Sequence, residues 1–199
     1  MRAQVIVIAG PSGSGKSQLA RRLRLPVLNL DDFYKDGSDR TLPRLESGAV
    51  DWDHPGSWLH DDALEAVRKL SHDGTADLPV YDIAQDGRTG HRTLTLGTSA
   101  YFVAEGIFAQ EVVAGCRDGG LLADAVCVFH HRLVTFWRRL SRDLREHRKP
   151  PLVLIRRGLR LLRAEPAIVA HAVRLGCTPL RPEQAYVRIT GLVGSSPRG

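Results

Sequence analysis

The stretch Val5-Ile6-Val7-Ile8-Ala9-Gly10-Pro11-Ser12-Gly13-Ser14-Gly15-Lys16-Ser17 decides the fold. Val5 to Ile8 are four consecutive β-branched residues, a pattern that suits a strand buried on both faces of a parallel sheet. The eight residues from Gly10 to Ser17 fit GxxxxGK[ST] in full and stand between that strand and a helix start, where the pattern has physical meaning. Glycines let consecutive backbone N–H groups point at one anion, and the following helix adds the positive end of its dipole. Gly10, Ser12, Gly13, Ser14 and Gly15 therefore read as a phosphate cradle, Lys16 as the cation that neutralises β/γ-phosphate charge, and Ser17 as a magnesium ligand. The motif predicts nucleoside triphosphate binding and leaves the phosphoryl acceptor open. The chain has no Asn-Lys-x-Asp sequence of the kind that reads guanine, so ATP is the expected donor.

Working outward, Leu19, Ala20 and Leu23 recur at helical spacing over Lys16 to Leu25, and Pro26 stops that helix before a second strand, Val27 to Leu30. Leu59, Ala63, Ala66, Val67 and Leu70 predict a helix over Trp58 to Ser71. Leu78 to Ile83 and His91 to Leu96 alternate around Asp86-Gly87-Arg88-Thr89-Gly90 and predict a β-hairpin with a polar tip. Tyr101 to Ala104 and Ala125 to Phe129 read as buried strands, and Ala185 to Ile189 as the last strand. These elements predict one α/β domain over residues 1–190: a mostly parallel sheet of about five strands flanked by helices, with a substrate-side hairpin and a basic helical lid at about 132–165. Residues 191–199 are small and polar and read as a disordered tail.

The composition narrows the class of partner. At 199 residues the chain suits a single domain, and its hydrophobic content of 43% supports a sizeable core. No apolar run approaches the roughly 20 residues that span a bilayer, and Met1 to Ala9 runs into the cradle without a cleavage-type segment, so the expected location is the cytoplasm, away from membranes. Cys116, Cys127 and Cys177 are widely spaced and odd in number, which argues for buried thiols over disulfides or zinc. His130-His131 lacks further ligands at metal spacing and reads as structural. The net charge of +6 calls for an anionic partner, either nucleotide phosphates or nucleic acid. Between Arg132 and Arg163 there are eleven Lys/Arg against two acidic residues, Asp143 and Glu146. Arg139 and Arg142 stand three apart, share a helix face, and suit charge stabilisation on a transferring phosphoryl group. No nucleic-acid-binding motif accompanies that basic region.

Transfer to an alcohol needs a proton acceptor opposite the cradle. Asp31-Asp32-Phe33-Tyr34 follows the second strand directly, at the right end of the sheet, although an aspartate there also suits a helix cap.

Asp31-Asp32-Phe33-Tyr34, Trp52-Asp53-His54-Pro55, Tyr81-Asp82 with Arg88 beyond it, Glu105-Gly106 and Arg138-Arg139-Leu140-Ser141-Arg142-Asp143 occur in the order in which the uridine kinase family carries its Asp-x-Phe-Tyr, Phe-Asp-His-Pro, Tyr-Asp, Glu-Gly and lid segments. The chain resembles that family, whose relatives include phosphoribulokinase and pantothenate kinase, from Val5 to about Lys149 and more weakly to Ile189. The resemblance implies an ATP- and Mg2+-dependent phosphotransferase with a small-molecule alcohol acceptor, and the 5′-hydroxyl of uridine or cytidine is the expected one. It implies Asp31 as general base and Glu105 beside Ser17 at the metal. It also implies that Asp53 holds ribose hydroxyls, Tyr81 packs on or bonds the base, Tyr34 and Arg88 line the acceptor pocket, and Arg139 and Arg142 sit in the lid. Taken singly, Asp53 also suits a turn, Tyr81 the hairpin core and Arg88 a solvated tip.

Two departures touch the specificity shell. The family's hairpin-tip histidine falls at Asp86, whose carboxylate accepts hydrogen bonds and so favours an amino group over a carbonyl; Asp86-Gly87 is also ordinary turn chemistry. Further lid arginines fall at His147 and Lys149. A sugar phosphate or pantothenate-like alcohol, a nucleic-acid-binding role and a non-catalytic regulatory role are the alternatives. Homo-oligomerisation stays open.

Overall fold

Every side chain of β1 (Gln4–Ala9) after Gln4 is buried, and the strand feeds the two faces of the sheet alternately. Val5, Val7 and Ala9 enter one core with Leu28, Phe102 and Ala104, whereas Ile6 and Ile8 enter the other with Leu19, Val103 and Val126. Burial on both faces explains why the run is β-branched throughout rather than alternating with polar residues. Each Val or Ile withdrawn from water this way stabilises the fold by roughly 1.5–3 kcal/mol.

The computed structural model describes residues 2–129 and 165–195. After β1 come α1 (Lys16–Leu23), β2 (Val27–Asn29), a 3-10 turn at Leu30–Phe33, a second at Pro55–Ser57, α2 (His60–Asp73), β3 (Thr75–Asp82), β4 (Gly87–Thr95) and β5 (Tyr101–Glu105). A 3-10 turn at Ala109–Val112 leads into α3 (Val113–Asp118) and β6 (Leu122–Val128), and a helix over 165–174 (α4) precedes β7 (Thr178–Leu180) and α5 (Pro182–Gly194). The main sheet has the order β2-β5-β1-β6-β7 with every pairing parallel. One face carries α1 and α5; α2, α3 and α4 contribute to the other. This is the α/β arrangement expected of a triphosphate-binding loop protein. Cys116, Cys127 and Cys177 are buried and unpaired, and burial pushes their thiols up to about 12, 11 and 12.

Three expectations need correction. Ala185–Ile189 is not a strand. Pro182 opens a helix there and the Gln184 side chain accepts from the Arg181 backbone N–H at 3.0 Å. Its buried Ala185 and Ile189 are four apart, a helical interval. The fifth strand is instead Thr178–Leu180, where Pro179 is tolerated because β7 lies at a sheet edge. The same helix runs through Gly191–Gly194, so those residues are not tail; 196–199 lie outside the described residues. The hairpin tip is also shorter than Asp86–Gly90. Asp82 accepts from the Ala84 N–H at 2.7 Å and Asp86 takes a positive φ of 47°, closing the turn over 83–86. Arg88 consequently stands within β4, opposite Tyr81. The basic region, with His130, His131, Arg139, Arg142, His147 and Lys149, lies outside the described residues.

Candidate active site

The register of the sheet assembles the site. Glu105, last residue of β5, lies on the same rung as Ile8 of β1 on one side and Asn29 of β2 on the other. The cradle begins two residues after Ile8 and Asp31 follows two residues after Asn29, so three adjacent strand ends deliver the cradle, Glu105 and Asp31 to one edge.

In the cradle, Gly10, Gly13 and Gly15 take positive φ values of 139°, 85° and 94°. Gly10 is fixed twice over, because a Cβ there would also collide with the Val128 carbonyl oxygen. Gly15 is the N-cap of α1. Lys16 is buried, and its Nζ donates to the carbonyls of Gly10 at 2.8 Å and Pro11 at 3.2 Å, folding the ammonium over its own loop. The Ser14 hydroxyl is buried without a hydrogen-bond partner among the described residues. Ser12 and Gly13 are partly exposed, and Ser17, in the first turn of α1, is exposed.

Burial pushes the Glu105 carboxyl above its ordinary range; the Lys16 ammonium and a hydrogen bond from Ser17 pull it down, the charge of Asp31 pushes it up, and Arg21 pulls it down. Glu105 thus senses Lys16, Ser17 and Asp31 together, as a shared site requires. Among the described residues no group of three or more His, Cys, Asp or Glu is arranged to hold a metal. A buried carboxylate bonded to a serine hydroxyl nevertheless fits magnesium, which takes one or two protein oxygens and completes its shell with phosphate and water.

Asp31 sits in the turn Leu30–Phe33, where the Asn29 side chain caps its N–H at 3.2 Å. Its Oδ1 accepts from the Ile107 N–H at 2.9 Å. Gly106 makes that approach possible: a Cβ there would come within 2.8 Å of Oδ1. The Trp58 indole N–H, donating to the Leu30 carbonyl at 2.7 Å, pins the turn from behind.

The side expected to take the acceptor is aromatic. Tyr34 packs against Tyr81 (ring centroids 5.6 Å apart), Trp52 (5.8 Å) and Phe108 (5.9 Å), and its hydroxyl donates to the Trp52 carbonyl at 3.1 Å. Tyr81 also meets Trp52 at 6.4 Å. Its hydroxyl is buried without a partner among the described residues, and burial, then the charges of Asp86 and Asp36, push it up to about 12, so it stays a donor across the physiological range. Asp53, next to Trp52, is half-buried and its N–H donates to Asp51 Oδ1 at 3.2 Å. His54 braces its own loop by accepting from the Gly56 N–H at 2.9 Å. The carbonyl of Asp86 accepts from the Gly37 N–H at 2.6 Å, docking the hairpin tip on the loop after Tyr34.

Most of the expected residues thus fall in two adjoining groups: Gly10 to Ser17 with Asp31 and Glu105, and Tyr34, Tyr81 and Asp86 with Asp53 on the neighbouring loop. Arg88 borders the second group: it stands opposite Tyr81 in the hairpin and its backbone N–H bonds Asp36, while its guanidinium lies 3.5 Å from Asp62 on α2. Trp52 and Phe108 were given no role from the sequence. Their signal was position, one residue before Asp53 and three after Glu105. Arg92, 3.4 Å from the largely buried Asp32, gave no signal beyond its place in β4.

A family model described as Phosphoribulokinase / Uridine kinase family matches residues 5–149. The uridine kinase of Schizosaccharomyces pombe is 31% identical over 155 residues, 72% of this chain but only 32% of that protein. The uridine kinase of Deinococcus deserti is 31% identical over 172 residues, 82% of this chain and 79% of that protein. The crystal structure of a proposed fructose transport system kinase from Silicibacter sp. TM1040 superposes with a TM-score of 0.64 over 85% of each chain at 20% identity, which supports the fold. The chain is an ATP-dependent phosphotransferase with an alcohol acceptor, and it belongs to the phosphoribulokinase/uridine kinase family.

Proposed function

We propose that this chain transfers the γ-phosphoryl group of ATP to the 5′-hydroxyl of uridine or cytidine, in the cytoplasm. The observation that carries the reading is the convergence of Lys16, Ser17, Glu105 and Asp31 at the carboxyl ends of neighbouring strands, beside a cluster of aromatic side chains of the kind that packs on a flat base. The cradle amides and Lys16 bind the triphosphate and hold its terminal phosphorus in place. Asp31, oriented by the Ile107 N–H, accepts the proton of the attacking alcohol. Glu105 and Ser17 would hold Mg2+, which supplies charge neutralisation at the β- and γ-phosphates. Asp53 bonds ribose hydroxyls, Tyr34 and Tyr81 enclose the base, and Arg139 and Arg142 stabilise the transferring group.

ADP release measured over a panel of nucleosides, sugar phosphates and pantothenate tests the acceptor. Uridine or cytidine is expected to lead the panel in kcat/KM by about tenfold or more, the scale set by a pocket that bonds its substrate's polar groups. A sugar phosphate at the top would sink the nucleoside reading and leave the kinase standing. Asp31→Asn is expected to lower kcat by about 10²–10⁴-fold while the ATP affinity holds; turnover near that of the wild type removes Asp31 from the mechanism.

A further inference from the structure

Asp31 and Asp32 are neighbours in a four-residue turn and their side chains go opposite ways. Asp31 reaches the loop after β5, where Ile107 donates to it. Asp32 turns toward the hairpin, where Arg92 Nη2 donates to its Oδ2 at 3.4 Å. The Asp32 side chain is only 12% exposed against 40% for Arg92, so the carboxylate is the partner that depends on the contact. Arg92 stands on β4 opposite Leu78, which is buried in the core with Phe33 and Trp58, so the root of the hairpin is fixed where the guanidinium leaves it.

We infer that Arg92 is a positioning residue for phosphoryl transfer, holding Asp32 so that the turn Leu30–Phe33 keeps Asp31 aimed at the acceptor hydroxyl. A carboxylate buried to this degree needs a cation or water. Without Arg92, Asp32 rehydrates by rotating the turn, and Asp31, one peptide away, turns with it. A misplacement of about 1 Å in a reacting group costs on the order of 10²-fold in rate, so a small rotation is enough. The contact also ties the wall of the acceptor pocket to the proposed base through side chains, independently of the Gly37–Asp86 backbone bond at the tip. The cradle has no part in this link, so triphosphate binding is untouched by it.

The inference rests on Asp31 as the base, and the experiment separates the two. The full chain is compared with Asp31→Asn, Arg92→Ala, Arg92→Lys, Asp32→Asn and the double variant Arg92→Ala/Asp32→Asn, each assayed for kcat, for KM toward ATP and toward the better of uridine and cytidine, and for melting temperature. Arg92→Ala is expected to lower kcat about 10-fold or more with KM for ATP within about twofold, the split that marks a defect confined to the chemical step. Arg92→Lys restores most of kcat by returning the charge. Asp32→Asn costs less than Arg92→Ala, and the double variant is no worse than Arg92→Ala alone, because the harm comes from the unpaired carboxylate. Arg92→Ala with a lowered melting temperature and intact kcat overturns the inference, as does a double variant showing the product of the two single losses. Should Arg92→Ala not fold, Arg92→Met, which keeps the length of the side chain without its charge, takes its place, and an intact kcat there would overturn the inference equally. If Asp31→Asn keeps its turnover, the assignment of the base falls and this inference with it; if Asp31→Asn is dead and Arg92→Ala is not impaired, only this inference falls.

Discussion

The proposed donor half and the proposed acceptor half of the site are built by different means. The donor half is backbone: consecutive residues Gly10 to Ser17, three of them glycines at positive φ, with Lys16 bonded back to the loop's own carbonyls. The acceptor half is side chain: Tyr34, Trp52, Tyr81, Asp86 and Phe108 come from four separate segments and meet only in the folded molecule. Backbone recognition tolerates little change in sequence, since any side chain at Gly10 strikes Val128. A box of side chains can be retuned one residue at a time without disturbing phosphate binding. Reaction class and acceptor choice are therefore separable properties of this chain.

Substitutions on either side of that divide should behave differently. After Asp31→Asn, the largest effect is expected for Glu105→Gln, at the junction of the halves: kcat falls by about 10²–10³-fold through the loss of charge at the metal and phosphates. Its stability should move the other way. Burial raises the Glu105 carboxyl above its unfolded value near 4.5, so the stabilisation linked to this group is fully present below that value and lost as pH rises through the folded one. Wherever that carboxyl is ionised, its buried charge is a cost to the fold that glutamine lacks. The melting temperature of the ligand-free variant should match or exceed that of the wild type at pH 7, with the gap closing below pH 4.5; a fall at pH 7 would contradict this reading of the site. Next in size, Tyr81→Phe should raise KM for the nucleoside about 10-fold, as expected for one lost hydrogen bond to substrate, and leave KM for ATP alone. Because the hydroxyl has no partner among the described residues, stability should hold or rise by up to about 1 kcal/mol. A matching rise in KM for ATP would erase the proposed separation of the halves. The smallest effect is expected for Asp86→Asn, which keeps the turn because asparagine tolerates positive φ. The ratio of kcat/KM for cytidine over uridine should fall about threefold to tenfold, the scale of one altered hydrogen bond. An unchanged ratio would make Asp86 a turn residue and nothing more.

Legibility in the sequence follows the same divide. Val5 to Ser17 announces itself because contiguous residues make the strand, the cradle and the helix start, and no distant contact is needed to read them. Asp31 and Glu105 were legible as strand-end carboxylates, but the shared rung that brings both to Ser17 is a property of the sheet register. The aromatic box was half legible: Tyr34 and Tyr81 lay in recognisable segments, whereas Trp52 and Phe108 join them through tertiary packing. Ala185 to Ile189 misled because Val187 and Ile189 favour strands locally, while Pro182 and the burial of Ala185 and Ile189 on one side favour a helix once there is a sheet face to cover. That Arg88 stands in β4 rather than in the tip was not legible, because the turn closes at Asp86 through a positive φ that no local pattern demands.

The three sealed sulfurs have a use that has nothing to do with catalysis. With Cys116, Cys127 and Cys177 all shut inside and shifted far toward the thiol form, the native chain offers almost no thiolate to an oxidant or an alkylating reagent. Modification has to wait for the structure around each thiol to open, so the pace of labelling at Cys127 within β6, compared with Cys116 in α3 and Cys177 before β7, is expected to rank how readily those parts of the fold open.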